Sequence, residues 1–371
     1  MNQLIQTIRI NQETYPTEMA KQPDVKTPSP IQLLFKERYG SDSFPMSLAN
    51  FLTEWFDEHP TLKVHTSGST GTPKELFVEK QRMLNSARAT INFLGLKKGD
   101  TALLCMPLPY IAGKMVVVRA LTAELNLLLV KPCGHPLHNI SEVPVFAAMT
   151  PMQVFNSLEV PEERTKLMQI EHLIIGGGAI DLQMADVLKT FPHNVWSTYG
   201  MTETLSHIAL RRLSGPKASY WYTPFEGVSL SLSNENTLVI DAPSVCPELL
   251  QTNDIVAFNE DGQFRILGRK DNTINTGGIK VQIEEVETKL HNLLPFPFFI
   301  TSAPDPKFGE HIVLLVEGSN PSEEILDKAF ALLPVYWRPK AIITVNQLPL
   351  TGTGKPDRAK AKQIAQRTQS C

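Results

Sequence analysis

Residues 66–74 read Thr66-Ser67-Gly68-Ser69-Thr70-Gly71-Thr72-Pro73-Lys74, placing five hydroxyls, two glycines and a lysine within nine positions. Glycines let successive backbone N–H groups turn toward one anion, while hydroxyls and an ammonium add donors for phosphate oxygens. A polar turn between two strands has the same composition, so this stretch alone leaves both readings open. It is not a Walker A loop, because no Gly-Lys-Ser/Thr follows Gly68 at the required spacing. Nor does Gly176-Gly177-Gly178-Ala179-Ile180-Asp181 fit G-x-G-x-x-G, since Asp181 stands where the last glycine belongs.

A second stretch, Thr198-Tyr199-Gly200-Met201-Thr202-Glu203, follows an expected strand. Ligands of open α/β sheets bind at such carboxyl ends. Tyr199 could stack on a base there, and Thr202 and Glu203 could serve phosphate and Mg²⁺. The bland alternative is a strand end followed by a helix starting near Thr202. A third group comprises Thr252-Asn253-Asp254, Gly268-Arg269-Lys270-Asp271 and Gly277-Gly278-Ile279-Lys280-Val281. The last is Leu348-Pro349-Leu350-Thr351-Gly352-Thr353-Gly354-Lys355-Pro356-Asp357-Arg358, where glycines and prolines would hold Lys355 in a defined place.

These residues need a scaffold, and 371 residues suffice for two domains with a sizeable core. The 42% apolar and 20% charged residues are ordinary for a globular chain. Lys plus Arg total 35 against 38 Asp plus Glu, so the basic excess expected of a nucleic-acid binder is missing. Cys105, Cys133, Cys246 and Cys371 are scattered without metal spacing and read as reduced thiols of a cytoplasmic protein. The start, Met1-Asn2-Gln3-Leu4-Ile5-Gln6, lacks the basic and apolar regions of a signal peptide. Thr101 to Val130 is apolar, but Lys114, Arg119 and Glu124 interrupt it, so it reads as strand, helix and strand, with no membrane span.

The spacing of Leu84, Ala87, Ile91 and Leu94 predicts one helix face ending at Gly95. Strands are expected over 101–105, 126–130, 145–149, 172–175 and 194–198, with helices over 113–124 and 181–190 between them; that alternation means a largely parallel α/β sheet. Shorter strands follow to Ile266, with a hairpin turn at Asn259-Glu260-Asp261-Gly262. A helix over 283–294, a strand over 312–317 and a helix over 322–333 complete a smaller section. Its acidic run Glu284-Glu285-Val286-Glu287 reads as a solvated helix face. The domain boundary is expected near residue 270, giving a large α/β domain over 1–270 with mixed sheets and a small α+β domain over 271–371.

In order and wording, the stretches resemble the adenylate-forming (AMP-binding) superfamily of acyl-CoA synthetases, adenylation domains and luciferases over roughly residues 60 to 360. Thr66–Lys74 resembles that family's phosphate loop and Tyr199–Glu203 its Y-G-x-T-E motif. Thr252–Asp254 resembles its ribose-binding threonine-x-aspartate, Gly268–Asp271 its G-R-x-D hinge, and Leu348–Arg358 the segment carrying its catalytic lysine. The resemblance implies two steps: a carboxylate attacks the α-phosphorus of ATP, then coenzyme A takes the acyl group from the adenylate.

It further implies roles. Lys355 would bridge carboxylate and α-phosphate, Glu203 would hold Mg²⁺, and Lys74 with Thr66, Ser67, Ser69 and Thr70 would steady the outer phosphates around Gly68 and Gly71. Asp254 would accept from the ribose hydroxyls with Arg269 nearby, and Asp271 would be the pivot. The backbone at Gly177 and Gly178, with Thr198, Tyr199, Gly200 and Thr202, would enclose adenine and substrate. Pro109-Tyr110-Ile111-Ala112-Gly113-Lys114-Met115 is similar to the compact o-succinylbenzoate–CoA ligases of menaquinone synthesis. Tyr110 then borders the substrate, and Lys114 is the candidate cation for a second substrate carboxylate. Sixty-five residues precede Thr66, which implies a reduced N-terminal subdomain. His65, His207 and His311 lie near motifs, and a lone histidine is usually a hydrogen-bonded structural residue. Alternatives are another aryl or fatty acyl-CoA ligase, a carrier-loading adenylation enzyme, or a non-catalytic nucleotide binder; for the protein itself, both monomer and homodimer stay open.

Overall fold

Strands that are apolar at every position must be covered on both faces, and helices alternating with them supply the cover. Thr101–Leu104, Phe146–Met149 and His172–Ile175 are buried at all four positions. The protein was analysed as a computed structural model, which describes residues 6–24, 26–65, 75–180, 182–350 and 356–368. The chain packs as two compact units: Met1–Ser229 with Asp241–Leu250, and Leu230–Ile240 with Gln251–Cys371.

In the first unit the described strands form a nine-stranded sheet. Its middle is parallel: Asn126–Leu129, Thr101–Leu104, Phe146–Met149, His172–Ile175 and Asn194–Gly200 lie side by side in that order. Thr7–Ile10 extends it in parallel, while Glu13–Pro16 at one edge and His207–Arg212 and Thr223–Pro224 at the other run antiparallel. Leu103, Ala147, Leu173 and Val195 pack with Leu167 and Leu188 from the flanking helices, and with Phe191 just beyond one of them, into one core. Thr101–Leu104, helix Ile111–Ala123 and Asn126–Leu129 form the strand–helix–strand unit expected of that apolar stretch. No helix among the described residues is long and apolar enough to cross a membrane. Helix Lys80–Leu94 ends at Gly95, whose φ of 71° closes the last turn in the left-handed region. A separate hairpin pairs Thr61–His65 with Glu75–Glu79, His65 opposite Glu75, and so brackets residues 66–74.

In the second unit a four-stranded sheet ends with Leu250–Phe258 and Phe264–Arg269, joined by the expected turn, with Gly262 at φ 73°. A short 3-10 turn, Lys270–Asn272, leads into a five-stranded sheet covered by Ile283–His291, Glu323–Ala331 and Arg358–Thr368. The chain therefore enters this unit for the last time at Gln251, ahead of the expected boundary near 270. Close packing explains this: a β-carbon on Gly268 would lie 2.7 Å from Glu284 Oε2 and 2.8 Å from Gln282 Oε1.

Two local expectations are corrected. The acidic run is not a solvated face: Glu287 receives both guanidinium nitrogens of Arg358 at 2.6 and 2.7 Å, and Glu284 accepts from Asn272. Charge spacing along a helix cannot reveal a cation 71 residues away. The helix over 283–294 stops at His291, with Leu293 and Leu294 bonded back to Leu290 instead.

Candidate active site

Strand Asn194–Gly200 and its antiparallel neighbour His207–Arg212 are joined by the turn that carries Thr202 and Glu203. No helix starts near Thr202. The return is sharp: a β-carbon on Gly200 would lie 2.2 Å from the Ser206 carbonyl oxygen. One hydroxyl organises the turn, Thr204 Oγ1, which accepts from the Met201 amide at 3.0 Å and reaches Ser206 O at 2.8 Å. Leu205 turns the chain at φ 66°, a left-handed conformation that costs a branched side chain on the order of 1 kcal/mol. Tyr199 is buried and stands edge-on to Tyr222. Glu203 is exposed, and its carboxylate bonds to no described residue. A hard, open carboxylate oxygen is the donor type that suits Mg²⁺ arriving with a nucleotide.

The glycine run lies alongside. A β-carbon on Gly176 would sit 2.3 Å from Thr198 Oγ1, and Gly177 has φ 83°. Gly178 abuts the Pro151 ring. The fold thus brings together Gly176–Gly178 and Thr198–Tyr199, which are some 20 residues apart in the chain, at the carboxyl ends of two adjacent parallel strands.

In the second unit Asp254 and Arg269 occupy opposite positions in the antiparallel pair. Arg269 Nη1 donates to Asp254 Oδ1 at 3.1 Å and Nη2 to Asp271 Oδ2 at 3.1 Å, so one guanidinium spans two carboxylates. Thr252 Oγ1 donates to Leu238 O and accepts from the Asp254 amide, which fixes the backbone under the buried aspartate. Asn253 Nδ2 donates to both oxygens of Asp271.

Tyr110 is the exposed N-cap of helix Ile111–Ala123. Lys114 is buried one turn later, its Nζ 3.2 Å from Glu54 Oε2 and over the Phe51 ring. Its charge is already answered inside the fold. Arg119, on the same helix, is different. It is 2% exposed, pairs with no carboxylate among the described residues, and has an Nε without any acceptor. Among the described residues its side chain donates from Nη2 to Ser206 Oγ at 2.7 Å, at the end of the Tyr199–Glu203 turn. Burial lowers its pKa to about 9. An uncompensated buried cation is costly, by several kcal/mol, and therefore marks a place built to meet an anion. The sequence signal was an arginine inside the run Met115-Val116-Val117-Val118-Arg119-Ala120-Leu121, where it served only to argue against a membrane span.

The profile of a family described as AMP-binding enzyme matches residues 11–245, more than half of the chain. The chain belongs to the AMP-binding enzyme family. A probable 2-succinylbenzoate–CoA ligase of Mycobacterium tuberculosis is 28% identical over 333 residues, covering 82% of this chain and 85% of that protein. The 2-succinylbenzoate–CoA ligase of Lactococcus lactis is 23% identical over 351 residues, covering 88% and 76%. Among solved structures, an acyl-CoA synthetase (AMP-forming)/AMP-acid ligase II-like protein from Dyadobacter fermentans is 30% identical with a TM-score of 0.60, covering 87% of this chain and 95% of that one. As in other AMP-binding enzymes, ATP is the nucleotide that this fold handles. The family's phosphate-loop positions here, Thr66, Ser67, Gly68, Ser69, Thr70, Gly71 and Lys74, and its lysine position, Lys355, lie outside the described residues. Their flanks are described: Leu350 bridges Pro356, and the Asp357 amide donates to Pro349 O.

Proposed function

We propose that this enzyme converts 2-succinylbenzoate to its coenzyme A thioester through an acyl-adenylate, in menaquinone synthesis. The observation that carries the choice of acid is Arg119: a second substrate carboxylate would partner a buried guanidinium that meets no acid among the described residues. The relatives named as 2-succinylbenzoate–CoA ligases support the same acid.

In the first step a carboxylate oxygen bonds to the α-phosphorus of MgATP and the bond to pyrophosphate breaks. Two anions must meet, so catalysis rests on positioning and on cations. Lys355 would lie between the attacking carboxylate and the α-phosphate. Glu203 would hold the Mg²⁺ that accompanies ATP, and Lys74 with the hydroxyls of 66–72 would steady the β- and γ-phosphates. Asp254 would accept from the ribose hydroxyls, with Arg269 orienting it. Gly177, Gly178, Thr198, Tyr199, Gly200 and Thr202 would border adenine and acid. In the second step the coenzyme A thiolate attacks the acyl carbonyl and AMP leaves. Lys114, held by Glu54, is replaced by Arg119 in the substrate role. Asp271 stays the proposed pivot between the two steps. We place the enzyme in the cytoplasm, where both co-substrates are available and Cys105, Cys133 and Cys246 would stay reduced.

The test is pyrophosphate release over a panel of carboxylic acids, with and without coenzyme A. Release with 2-succinylbenzoate, and AMP-forming consumption of coenzyme A with it, is expected. Preference for fatty acids would overturn the assignment of the acid, and release unaffected by coenzyme A without thioester formation would point to carrier loading.

A further inference from the structure

Among the described residues Arg119 is held by the Ser206 hydroxyl, and the direction of that hydrogen bond is set from a distance. Thr90 Oγ1 lies 3.2 Å from Ser86 O, which can only accept, so the single Thr90 hydroxyl hydrogen points there. Thr90 Oγ1 must then accept from His207 Nε2, 3.0 Å away. An Nε2-protonated neutral imidazole has a bare Nδ1, and 3.3 Å from it is Ser206 Oγ. The Ser206 hydrogen goes to His207, and its lone pairs face Arg119 Nη2 at 2.7 Å. Each group in the chain has one arrangement that satisfies all its neighbours.

We infer that the chain Ser86 carbonyl–Thr90–His207–Ser206 aims the Arg119 guanidinium, making Ser206 and His207 positioning residues for the substrate carboxylate that is not activated. The inference rests on the Arg119 reading given under the proposed function. Three features support it. His207 is buried, with Thr90, Ser206, Arg119 and the edge of the Phe225 ring around it and no carboxylate among these neighbours. Burial and the nearby guanidinium both hold its pKa well below the ordinary range, so the imidazole stays neutral and does not add a second cation. And the Ser206 backbone lies in the tight return opposite Gly200, its carbonyl oxygen 2.8 Å from Thr204 Oγ1.

A hydrogen bond to a charged group that is lost on one side of a binding event typically moves affinity by roughly tenfold or more. Ser206→Ala and His207→Leu should therefore raise KM for 2-succinylbenzoate about tenfold while kcat and KM for MgATP stay near those of the parent. Analogues that each lack one of the two carboxylates supply the control: the KM of whichever is activated should not move. Ser206→Thr keeps the hydroxyl, and His207→Gln keeps one donor and one acceptor, so both should restore the parent KM. Arg119→Met should erase the preference for the diacid. If it does and the Ser206→Ala and His207→Leu variants leave that preference intact, the chain does not position Arg119. If Arg119→Met leaves the preference unchanged, the Arg119 reading itself fails. An independent measurement uses the unsubstituted protein: ¹⁵N resonances of the His207 ring should report a neutral imidazole protonated at Nε2 between pH 6 and 8. The Nδ1-protonated tautomer or an imidazolium would overturn the chain whatever the substrate.

Discussion

Gly200 and Ser206 approach so closely across the Tyr199–Glu203 turn that a β-carbon on the glycine would stand 2.2 Å from the serine carbonyl oxygen and 2.6 Å from the His207 α-carbon. Backbone atoms on both sides cannot give way as a flexible side chain would. Gly200→Ala should force the turn open, move Thr202 and Glu203, and cost about 1–3 kcal/mol as overpacking does. A fall in melting temperature together with loss of pyrophosphate release is expected; an alanine variant with parent stability and rate would show that the turn tolerates the shift.

Lys355 should act in the first half-reaction only, because carboxylate and α-phosphate no longer repel once the adenylate exists. Lys355→Ala should lose on the order of 10²–10³ in acid-dependent pyrophosphate release. Supplied with pre-made acyl-adenylate and coenzyme A, the variant should form thioester near the parent rate. Equal loss in both assays would falsify the assignment.

Asp254 is buried against Arg269, so its carboxylate is oriented before any nucleotide arrives. Asp254→Asn should raise KM for ATP at least tenfold with little change in KM for the acid, since an amide cannot accept from two ribose hydroxyls with both of its heavy atoms. Titration of the variant with AMP by calorimetry checks this, and unaltered affinity would remove Asp254 from the nucleotide site.

Two cations on one helix should behave differently. Lys114 already faces Glu54, and losing that pair with its Phe51 contact should lower stability modestly while leaving diacid selectivity in place. Arg119→Met should do the reverse, removing a buried charge that meets no acid among the described residues and abolishing selectivity. Thermal melts and paired KM values on both variants decide the matter; a selectivity loss in Lys114→Met would return the substrate role to that lysine.

Glu284 should make stability fall with rising pH. Burial is the main cause that holds its carboxyl above the usual carboxylate range, against the bond from Asn272. Between its unfolded and folded pKa values the native state therefore binds the proton more tightly, so stability declines as pH rises through that window. Glu284→Gln keeps an acceptor for Asn272 and drops the charge. The variant should melt above the parent at pH 8, with the advantage disappearing below about pH 4.5, where the unfolded carboxyl is protonated too. A variant less stable than the parent at pH 8 would mean that the Asn272 bond outweighs the burial of the charge.

Local rules account for much of what could be read from residues alone. Gly95 ends its helix, Gly262 closes its hairpin, and the apolar runs at 101–105, 146–149 and 172–175 are parallel strands, because each depends on backbone conformation or on a period of two or 3.6 within a few residues. Tyr199 lies at the end of strand Asn194–Gly200, as the apolar run before it led one to expect, whereas the pairing of Asp254 with Arg269 across two strands joins residues fifteen positions apart and is set by the strand register. What lay beyond the sequence were pairings across long separations. Arg358 meets Glu287 and turns an acidic run into a bonded helix face; Lys114 meets Glu54; Arg119 meets Ser206 and, among the described residues, no acid. The composition of a helix shows that it carries charges, but whether a charge is neutralised depends on which distant chain segment packs against it. That choice is made by burial of the whole core, which set Lys114 against Glu54 and Arg119 against the Ser206 hydroxyl although both stand on one helix.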